Sequence, residues 1–361
     1  MKHSYLLAGT TAGSFFKLLA KNGFSPYPAY LGRILFLSQN GLWASAFRKR
    51  EKKKFGKIIR EYQMPADPVF IIGHWRTGTT FLHQLMNLDE NFVTPSVLQV
   101  SVPDSFLVSE KYYAPVMSKM VNPTRPMDNV KLGVYEPQED EYALFKLTLD
   151  SPLEKLIFPD DDGYFLNNYT DFYPEPENME KWKNGLHTFC KKLSFTKGKR
   201  VLLKNPFHSM RIPLLREIYP EARFIHIHRH PYKVVPSTIN MWNIVGRQNR
   251  LKKRGKAPEV AEVAEMMNKM LNKIRADFND LEPGAKYEVR FEEFEKDPVA
   301  GLKKIYSHFE LEYTDNLDEK VKAFLNDVKG YRKNKFNLTD AEKEIIRDTL
   351  KEQFIYYHYE E

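Results

Sequence analysis

The chain has 361 residues, of which 42% are hydrophobic and 14% aromatic, so it can form one large or two modest packed domains and is not a disordered chain. Its formal net charge of +8 favours acidic partners: phosphate-rich small molecules, nucleic acid or an anionic membrane. The single cysteine, Cys190, excludes an internal disulfide and fits a reducing, cytoplasmic compartment.

Residues 1–66 are predicted to form a helical N-terminal extension. Lys17 and Lys21 interrupt its first apolar stretch, so we expect neither a transmembrane helix nor a signal peptide. A second apolar helix candidate runs directly into the basic segment Arg48–Lys54. This pair fits peripheral contact with the inner face of an anionic membrane through residues 30–54, and it also fits a docked helix with a solvated basic end.

The segment 68–86 is predicted to be a strand, a glycine loop and a helix. Val69–Ile72 form a short apolar run, Gly73 and Gly78 enclose four residues, and apolar residues then recur at helical spacing up to Met86. This arrangement presents free backbone N–H groups and the positive end of a helix dipole to a phosphate. It also fits a strand–turn–helix corner in which the glycines serve only the geometry.

The glycine spacing of this loop is that of a nucleotide triphosphatase, but the chemistry differs. Thr79 follows the second glycine, where a triphosphatase has the lysine that reaches the β- and γ-phosphates. The cation is instead Arg76, inside the loop, and threonines supply hydroxyl groups. We therefore interpret the loop as an anion-binding site that does not handle the γ-phosphate of ATP in the usual way.

Residues 87–195 lack a simple alternation of strands and helices and are rich in aromatic residues and proline, which is typical of lids and pocket walls. Within them, Tyr135–Tyr142 is predicted to start a helix, with Pro137 at the first helical position and acids in the first turn. That capping role accounts for the carboxylates of Glu139–Glu141. It leaves open whether one of them also acts as a base.

From residue 199 the chain becomes regular. Arg200–Leu203 is predicted to be a strand that leads into Lys204, and Ala222–His228 a second strand that leads into Arg229, with a helix between them. Parallel strands of this kind end at one edge of the sheet, where open α/β sheets bind ligands. A third strand is predicted at Tyr287–Phe291.

Three histidines alternate around the end of the second strand, at positions 226, 228 and 230. A strand would place them on one face, as a metal site requires. However, Arg229 lies between them and would repel a cation, and no fourth ligand is close in sequence. We therefore expect no metal.

With Arg229 in view, the chain resembles the sulfotransferases that use 3′-phosphoadenosine 5′-phosphosulfate (PAPS), most closely their bacterial single-domain branch. In that family a basic residue followed by Ser/Thr-Gly-Thr-Thr binds the 5′-phosphosulfate, and Arg76–Thr80 match this motif. An arginine with proline two and serine eight residues later binds the 3′-phosphate, a spacing kept by Arg229, Pro231 and Ser237. Tyr287–Phe294 is similar to a late strand-and-helix segment of the family.

The resemblance covers residues 68–310 and implies both a fold and a set of binding residues. The fold would be a P-loop-like three-layer α/β domain over 67–361, with a central, mostly parallel sheet flanked by helices and an acceptor-pocket insertion at 87–195. The family's final basic loop is matched only loosely, by a stretch that contains Arg332. The residues implied to bind the donor are Arg76, Thr77, Gly78, Thr79, Thr80, Arg229, Ser237 and Arg332.

Sulfuryl transfer resembles phosphoryl transfer, because charge grows on the bridging oxygen of the leaving phosphate. Arg76, Lys204 and the loop N–H groups would stabilise that charge without a metal. A base must also take the proton of the acceptor hydroxyl. By resemblance to the Lys-Thr-His segment of cytosolic members, the base is His208, two residues later than in that pattern; the rival is a carboxylate of Glu139–Glu141, because some branches use glutamate.

The aromatic segment 87–195 favours a small hydrophobic acceptor such as a sterol, another lipid or a phenol, with a carbohydrate as the alternative. We expect no nucleic-acid partner, but two interpretations lie outside this class: a nucleotide kinase, and a non-catalytic basic adaptor for a membrane or nucleic acid. A nucleotide kinase would need a Mg²⁺-binding acid and a lysine after Gly78, and neither is evident. A non-catalytic membrane adaptor would explain the charge but not the register of Arg229 and Ser237 with the loop.

Overall fold

The computed structural model describes residues 6–24, 28–121, 124–125, 133–159, 172–253, 257–330, 334 and 336–360. The chain divides into two compact units. The first comprises Met1–Pro65, Pro95–Gly198 and Met241–Pro258, and the second comprises Ala66–Thr94, Lys199–Asn240 and Glu259–Glu361. The functional division into an extension, a transferase domain and an acceptor insertion stays a prediction.

The described elements include sixteen α-helices and five strands, besides short 3₁₀ turns. The strands are β1 (Val69–Ile72), β2 (Phe92–Val93), β3 (Arg200–Lys204), β4 (Arg223–His228) and β5 (Lys286–Arg290). The helices are α1 (Ala12–Lys21), α2 (Leu31–Glu61), α3 (Thr79–Met86), α4 (Val97–Ser101), α5 (Phe106–Met120), α6 (Glu141–Thr148), α7 (Glu154–Ile157), α8 (Met179–Lys197), α9 (Ile212–Ile218), α10 (Pro231–Asn249), α11 (Val260–Asn279), α12 (Phe291–Lys296), α13 (Pro298–His308), α14 (Asp315–Asp327), α15 (Asp340–Thr349) and α16 (Lys351–Tyr356).

The second unit is built on one five-stranded sheet with strand order β2–β3–β1–β4–β5, and every neighbouring pair is parallel. The central strand, β1, is buried along its whole length, which confirms the strand predicted from its apolar run. The strands β3 and β4, joined through α9, lie on either side of it. Their carboxyl ends therefore meet beside the carboxyl end of β1, at the edge where we expect a ligand.

Helices cover both faces of this sheet because alternate residues of β1 point to opposite sides. Val69 and Ile71 belong to an apolar cluster with residues of α3, α12, α13 and α14. On the other face the Phe70 ring stacks on Phe224, with centroids 5.4 Å apart, and lies 6.2 Å from the ring of Tyr219. The predicted three-layer α/β arrangement is confirmed.

The first unit is helical in its described part, and α1 packs on the long helix α2. Gly41 permits their close approach, because a Cβ at this position would lie only 2.9 Å from the backbone nitrogen of Ala12. The basic run that was predicted to follow an apolar helix is part of α2 itself, since lysine and arginine are good helix formers. Cys190 is buried in α8. Across the residues that the structure describes, no helix has both the length and the hydropathy to span a bilayer.

Candidate active site

The glycine loop lies between β1 and α3, and both of its glycines are required by the packing. Gly73 has φ +140° and Gly78 has φ +104°, a left-handed region that favours glycine. A side chain at Gly73 would overlap the carbonyl oxygen of Ile227, and one at Gly78 would overlap the ring of Phe291. The backbone thus approaches its neighbours closely and leaves the first N–H groups of α3 without helical partners of their own, as an anion site needs.

Arg76 adopts an uncommon backbone conformation inside this loop, with φ +70°. Holding a residue other than glycine there costs about 1–2 kcal/mol, so the surrounding contacts must stabilise it. One such contact crosses 161 residues: Nε of Arg76 donates to Oγ of Ser237, on α10, at 2.9 Å. The loop cation and the serine of the second motif are therefore in direct contact.

The threonines of the loop have different surroundings. Thr77 is fully buried, and its hydroxyl donates to the carbonyl oxygen of His74 at 2.8 Å, so it holds the loop in shape. Thr79 is buried as the first residue of α3, whereas Thr80 is half-buried. Burial lowers the pKa of His74 to about 4, so this loop histidine is neutral at physiological pH and adds no charge.

Lys204 ends β3 and pairs in register with Ile71 of β1, which brings it to the edge where the glycine loop begins. It is buried, with only 2% of its surface exposed. His83, on α3, lies near it: burial first, and then the charge of Lys204, hold the pKa of His83 well below its usual range. The imidazole is therefore neutral and hydrogen-bonds to the Thr94 hydroxyl.

The sequence did not indicate a role for His83, because the apolar spacing of α3 drew attention to its hydrophobic neighbours. The signal available in the sequence was the position of His83, a polar residue among the apolar positions of a short predicted helix.

His208 lies in a short 3₁₀ turn, Pro206–Met210, directly after β3. The side chain of Asn205 caps this turn by accepting from the N–H of Phe207 at 3.0 Å. His208 is 0% exposed, and its ring meets the ring of Phe70 edge-on at 5.5 Å. A general base must reach the acceptor hydroxyl, and this burial gives His208 the environment of a packed core residue.

Arg229 follows β4 directly and is half-buried. Its guanidinium lies 4.4 Å from the ring centroid of Phe291, in cation–π geometry. The same ring packs against Gly78 of the loop. Phe291 thus supports both the second glycine of the loop and the arginine of the second motif. Sequence analysis treated it only as the end of a strand.

The carboxylates of Glu139–Glu141 belong to the first unit, where α6 begins at Glu141 and Asp140 is its N-cap. The prediction that Pro137 starts this helix is wrong, because Pro137 forms an antiparallel bridge with Ser96. Asp140 and Glu141 are both fully buried, and Glu141 accepts from the hydroxyl of Ser151 at 2.6 Å. Glu139 is half-buried, which makes it the most accessible of the three.

The three alternating histidines have hydrogen-bonding partners in the second unit. Nδ1 of His226 lies 2.9 Å from a carboxylate oxygen of Glu288, Nδ1 of His228 lies 2.5 Å from the hydroxyl of Tyr359, and Nε2 of His230 lies 2.9 Å from the carbonyl oxygen of Glu360. Burial lowers the pKa of His228 to about 3. Within the described ranges, no group of three or more His, Cys, Asp or Glu residues could hold a metal ion.

The structure therefore brings together Arg76, Gly78, Arg229 and Ser237, with Lys204 at the same edge of the sheet. Arg332, the last residue predicted to bind the donor, lies outside the described residues.

Comparison with known proteins agrees with this geometry. A profile described as the Sulfotransferase family matches residues 68–315. Two curated proteins, both named omega-hydroxy-beta-dihydromenaquinone-9 sulfotransferase Stf3, from Mycobacterium bovis and Mycobacterium tuberculosis, are each 31% identical over 98% of this chain and 91% of their own.

Solved structures share the fold. Sulfotransferase STF9 from Mycobacterium avium superposes with a TM-score of 0.66 at 16% identity, covering 97% of each chain. STF1 from Mycobacterium tuberculosis gives a TM-score of 0.60 at 16% identity, over 93% of this chain and 90% of that one. The P-loop-like fold expected from the sequence is thereby confirmed, and the chain belongs to the sulfotransferase family.

Proposed function

We propose that this sulfotransferase moves the sulfuryl group of PAPS to the hydroxyl of a hydrophobic, lipid-like acceptor. The observation that carries the proposal is the 2.9 Å hydrogen bond from Arg76 to Ser237. It joins the two motifs that, by family resemblance, bind opposite ends of a bis-phosphorylated adenosine.

The donor is a co-substrate, and the residues at the sheet edge fit its two anionic ends. The N–H groups at the start of α3 and the guanidinium of Arg76 would hold the 5′-phosphosulfate, with Thr79 and Thr80 at the helix terminus. Ser237 and Arg229 would hold the 3′-phosphate. The ring of Phe291 contacts both Arg229 and Gly78 and so helps to hold them in position. The basic stretch that contains Arg332 stays a prediction.

In the proposed reaction the acceptor oxygen attacks sulfur, and the bond from sulfur to the bridging oxygen of the 5′-phosphate breaks. That oxygen keeps the electron pair and leaves as part of adenosine 3′,5′-bisphosphate. Arg76 and Lys204 stabilise the charge that develops on it, as cations do in phosphoryl transfer. The proton of the acceptor goes to a protein base, so the step needs no redox partner.

The base remains a choice between His208, which the family resemblance favours, and Glu139. His208 is 0% exposed and packs edge-on against Phe70. Glu139 is half-buried, whereas its two acidic neighbours are fully buried. Glu139→Gln and His208→Asn should separate the alternatives: the true base variant loses turnover about 10²–10⁴-fold while still binding the donor product.

The acceptor class rests on the relatives and on composition. The mycobacterial relatives are named for a hydroxylated lipid quinone. Residues 87–195 of this chain are rich in aromatic side chains, as expected of the wall of an apolar pocket. We therefore place a lipid hydroxyl ahead of a sterol or a phenol, and a carbohydrate hydroxyl last.

The cellular location of the enzyme is part of the same proposal. The cysteine content fits the cytoplasm, and an acceptor of this class is dissolved in a bilayer. An enzyme held at the inner face of that membrane through residues 30–54 would meet its acceptor there.

Ligand-dependent melting is the first test of the donor site. Adenosine 3′,5′-bisphosphate at about 100 times its dissociation constant should stabilise the protein by about 2.7 kcal/mol, whereas ATP with Mg²⁺ should stabilise it far less. Equal stabilisation by both ligands would favour a kinase-like nucleotide protein, and no stabilisation by either would favour an adaptor.

The acceptor is then assigned by transfer of labelled sulfate from PAPS to a panel of hydroxylated quinones, sterols, phenols and sugars. Selective labelling of a sugar would overturn the lipid assignment while leaving the donor assignment intact.

A further inference from the structure

One face of α2 is apolar and exposed over its first half. Leu31, Leu35, Leu42 and Trp43 are among the most exposed large hydrophobic residues described, at 53%, 71%, 65% and 63%. On a helix of 3.6 residues per turn, Leu31, Leu35 and Leu42 lie within about 40° of one another, and Trp43 flanks them about 80° farther round the helix. Single exposed leucines are common on soluble proteins, but an aligned set of this kind indicates an interaction surface.

The same side of α2 becomes basic over its second half. Lys49 and Lys53 stand in line with Leu31 and Leu35 on the helical wheel, and Arg60 stands in line with Leu42; all three are exposed. Residues 31–61 contain nine basic and two acidic residues, so this one helix has a formal charge of 9 − 2 = +7 in a chain of +8. The exposed face is therefore apolar for about 18 Å, from Leu31 to Trp43, and then cationic for about 17 Å, from Lys49 to Arg60.

The opposite side of α2 is fixed to the first unit. Leu37 and Ala44 are buried, and the carboxylate of Glu51 forms a buried ion pair with Lys192 of α8. A second carboxylate oxygen of Glu51 accepts from the N–H of Leu107 at 2.8 Å. The helix therefore cannot roll its leucines inward without breaking these bonds.

We infer that this face of α2 docks on an anionic lipid bilayer, with its apolar half in the acyl boundary and its basic half against the headgroups. Leucine and tryptophan side chains suit the acyl boundary of a bilayer, and the lysines that continue the same face suit its anionic headgroups. A second copy of the chain is a poor occupant because it would bring another strongly cationic helix to the same face.

This surface specifies the partner of the proposed function, and only its purpose, access to a membrane-dissolved acceptor, rests on that function. Docking itself needs neither donor nor acceptor. Vesicle binding and sulfuryl transfer can therefore fail independently of each other.

The experiment is flotation of the full chain with vesicles of phosphatidylcholine alone or mixed with phosphatidylglycerol. We expect binding at least tenfold tighter to the anionic vesicles, weakened by salt. Leu35→Glu with Leu42→Glu should abolish it. The matched control, Ile345→Glu with Ile355→Glu, changes two exposed isoleucines of α15 and α16, at 41% and 66%, and should bind like the wild type. Circular dichroism verifies that both variants are folded.

A separate pair of variants tests how much the lysines of α2 contribute to vesicle binding. Lys49→Gln with Lys53→Gln should weaken binding about fivefold per lysine, whereas Lys343→Gln with Lys351→Gln should have little effect.

Trp43 supplies a direct measure of insertion. It is the exposed member of the four tryptophans, since Trp75, Trp182 and Trp242 are at most 4% exposed. Brominated acyl chains should therefore quench its fluorescence, with a blue shift, only in anionic vesicles.

Absence of vesicle binding, or equal loss in the Ile345/Ile355 control, would overturn the inference. So would self-association of the chain that Leu35→Glu with Leu42→Glu disrupts, because that result would assign the face to a second copy.

Discussion

The two units of this protein use their cations in different ways. In the second unit, Arg76 lies in the loop after β1 and Arg229 directly follows β4, and both are half-buried at the carboxyl edge of a parallel sheet. In the first unit, Lys146 and Lys192 are buried among helices, where Lys146 donates to the carbonyl oxygen of Val100 at 2.8 Å and Lys192 pairs with Glu51. Partial exposure thus suits Arg76 and Arg229 to a ligand, whereas Lys204 is as buried as the lysines of the first unit and is set apart by its place at the sheet edge.

Breaking the buried pair should give the largest effect, and it should be on stability. Lys192→Met leaves the carboxylate of Glu51 without its cation in a site where burial already raises its pKa. We expect the free energy of unfolding to fall by about 3–5 kcal/mol, measured by chemical denaturation. Adding Glu51→Gln, which keeps an acceptor for the N–H of Leu107, should recover much of the loss. A loss below about 1 kcal/mol in the single variant would show that this pair does not support the fold.

Removing a cation of the sheet edge should instead affect turnover. Arg76→Ala and Lys204→Ala should each lower kcat/KM by about 10²–10³-fold, because each removes a group that we propose to stabilise the developing charge. For Arg76→Ala we expect a folded protein with a modestly lower melting temperature, because the hydrogen bond to Ser237 is lost. Lys343→Ala, on α15, is the control cation. Near-normal turnover in either site variant would refute that residue's assigned role.

The contact between the loop and Phe291 can be broken at the glycine. Gly78→Ala places a Cβ against the ring at φ +104° and should lower the free energy of unfolding by about 2 kcal/mol, with weaker binding of adenosine 3′,5′-bisphosphate. Calorimetry measures both quantities. Gly284→Ala, at a position with open space and no positive φ, should be nearly neutral. Equal effects at both glycines would contradict the close packing of the loop.

Over a single pH unit the smallest effect is a dependence of stability on pH that should come from the first unit. Burial lowers the pKa of Lys146 from 10.5 to about 7. Between these values the unfolded chain binds more protons than the folded one, so stability should rise with pH, by up to about 1.4 kcal/mol per pH unit from this group. Below about pH 7 the full cost of burying the charge is present. Denaturation of Lys146→Met from pH 7 to 10 should show a smaller rise, and an unchanged slope would exclude Lys146 as its source.

The local sequence pattern was sufficient to predict elements that depend only on residues close together in the chain. The run Val69–Ile72, with Gly73 and Gly78 after it, predicted β1, the loop and α3, because apolar strands and glycine turns are determined by neighbours in sequence. The spacing of Arg229 and Ser237 also carried information, since Arg229 lies two residues before α10 and Ser237 lies in the second turn of that helix. At Pro137 the same kind of reasoning was wrong, because a bridge to Ser96 overrides the preference of proline for a helix start.

The sequence by itself determined the parallel α/β class, the strand–glycine loop–helix segment and the family, since all three follow from short-range spacing and the order of elements along the chain. Only the tertiary structure decided that Arg76 meets Ser237, that Phe291 lies beneath Arg229, that His208 is enclosed and that the leucines of α2 face outward. Each of these depends on residues distant in sequence that pack together, and exposure is a property of the whole fold that no local window contains.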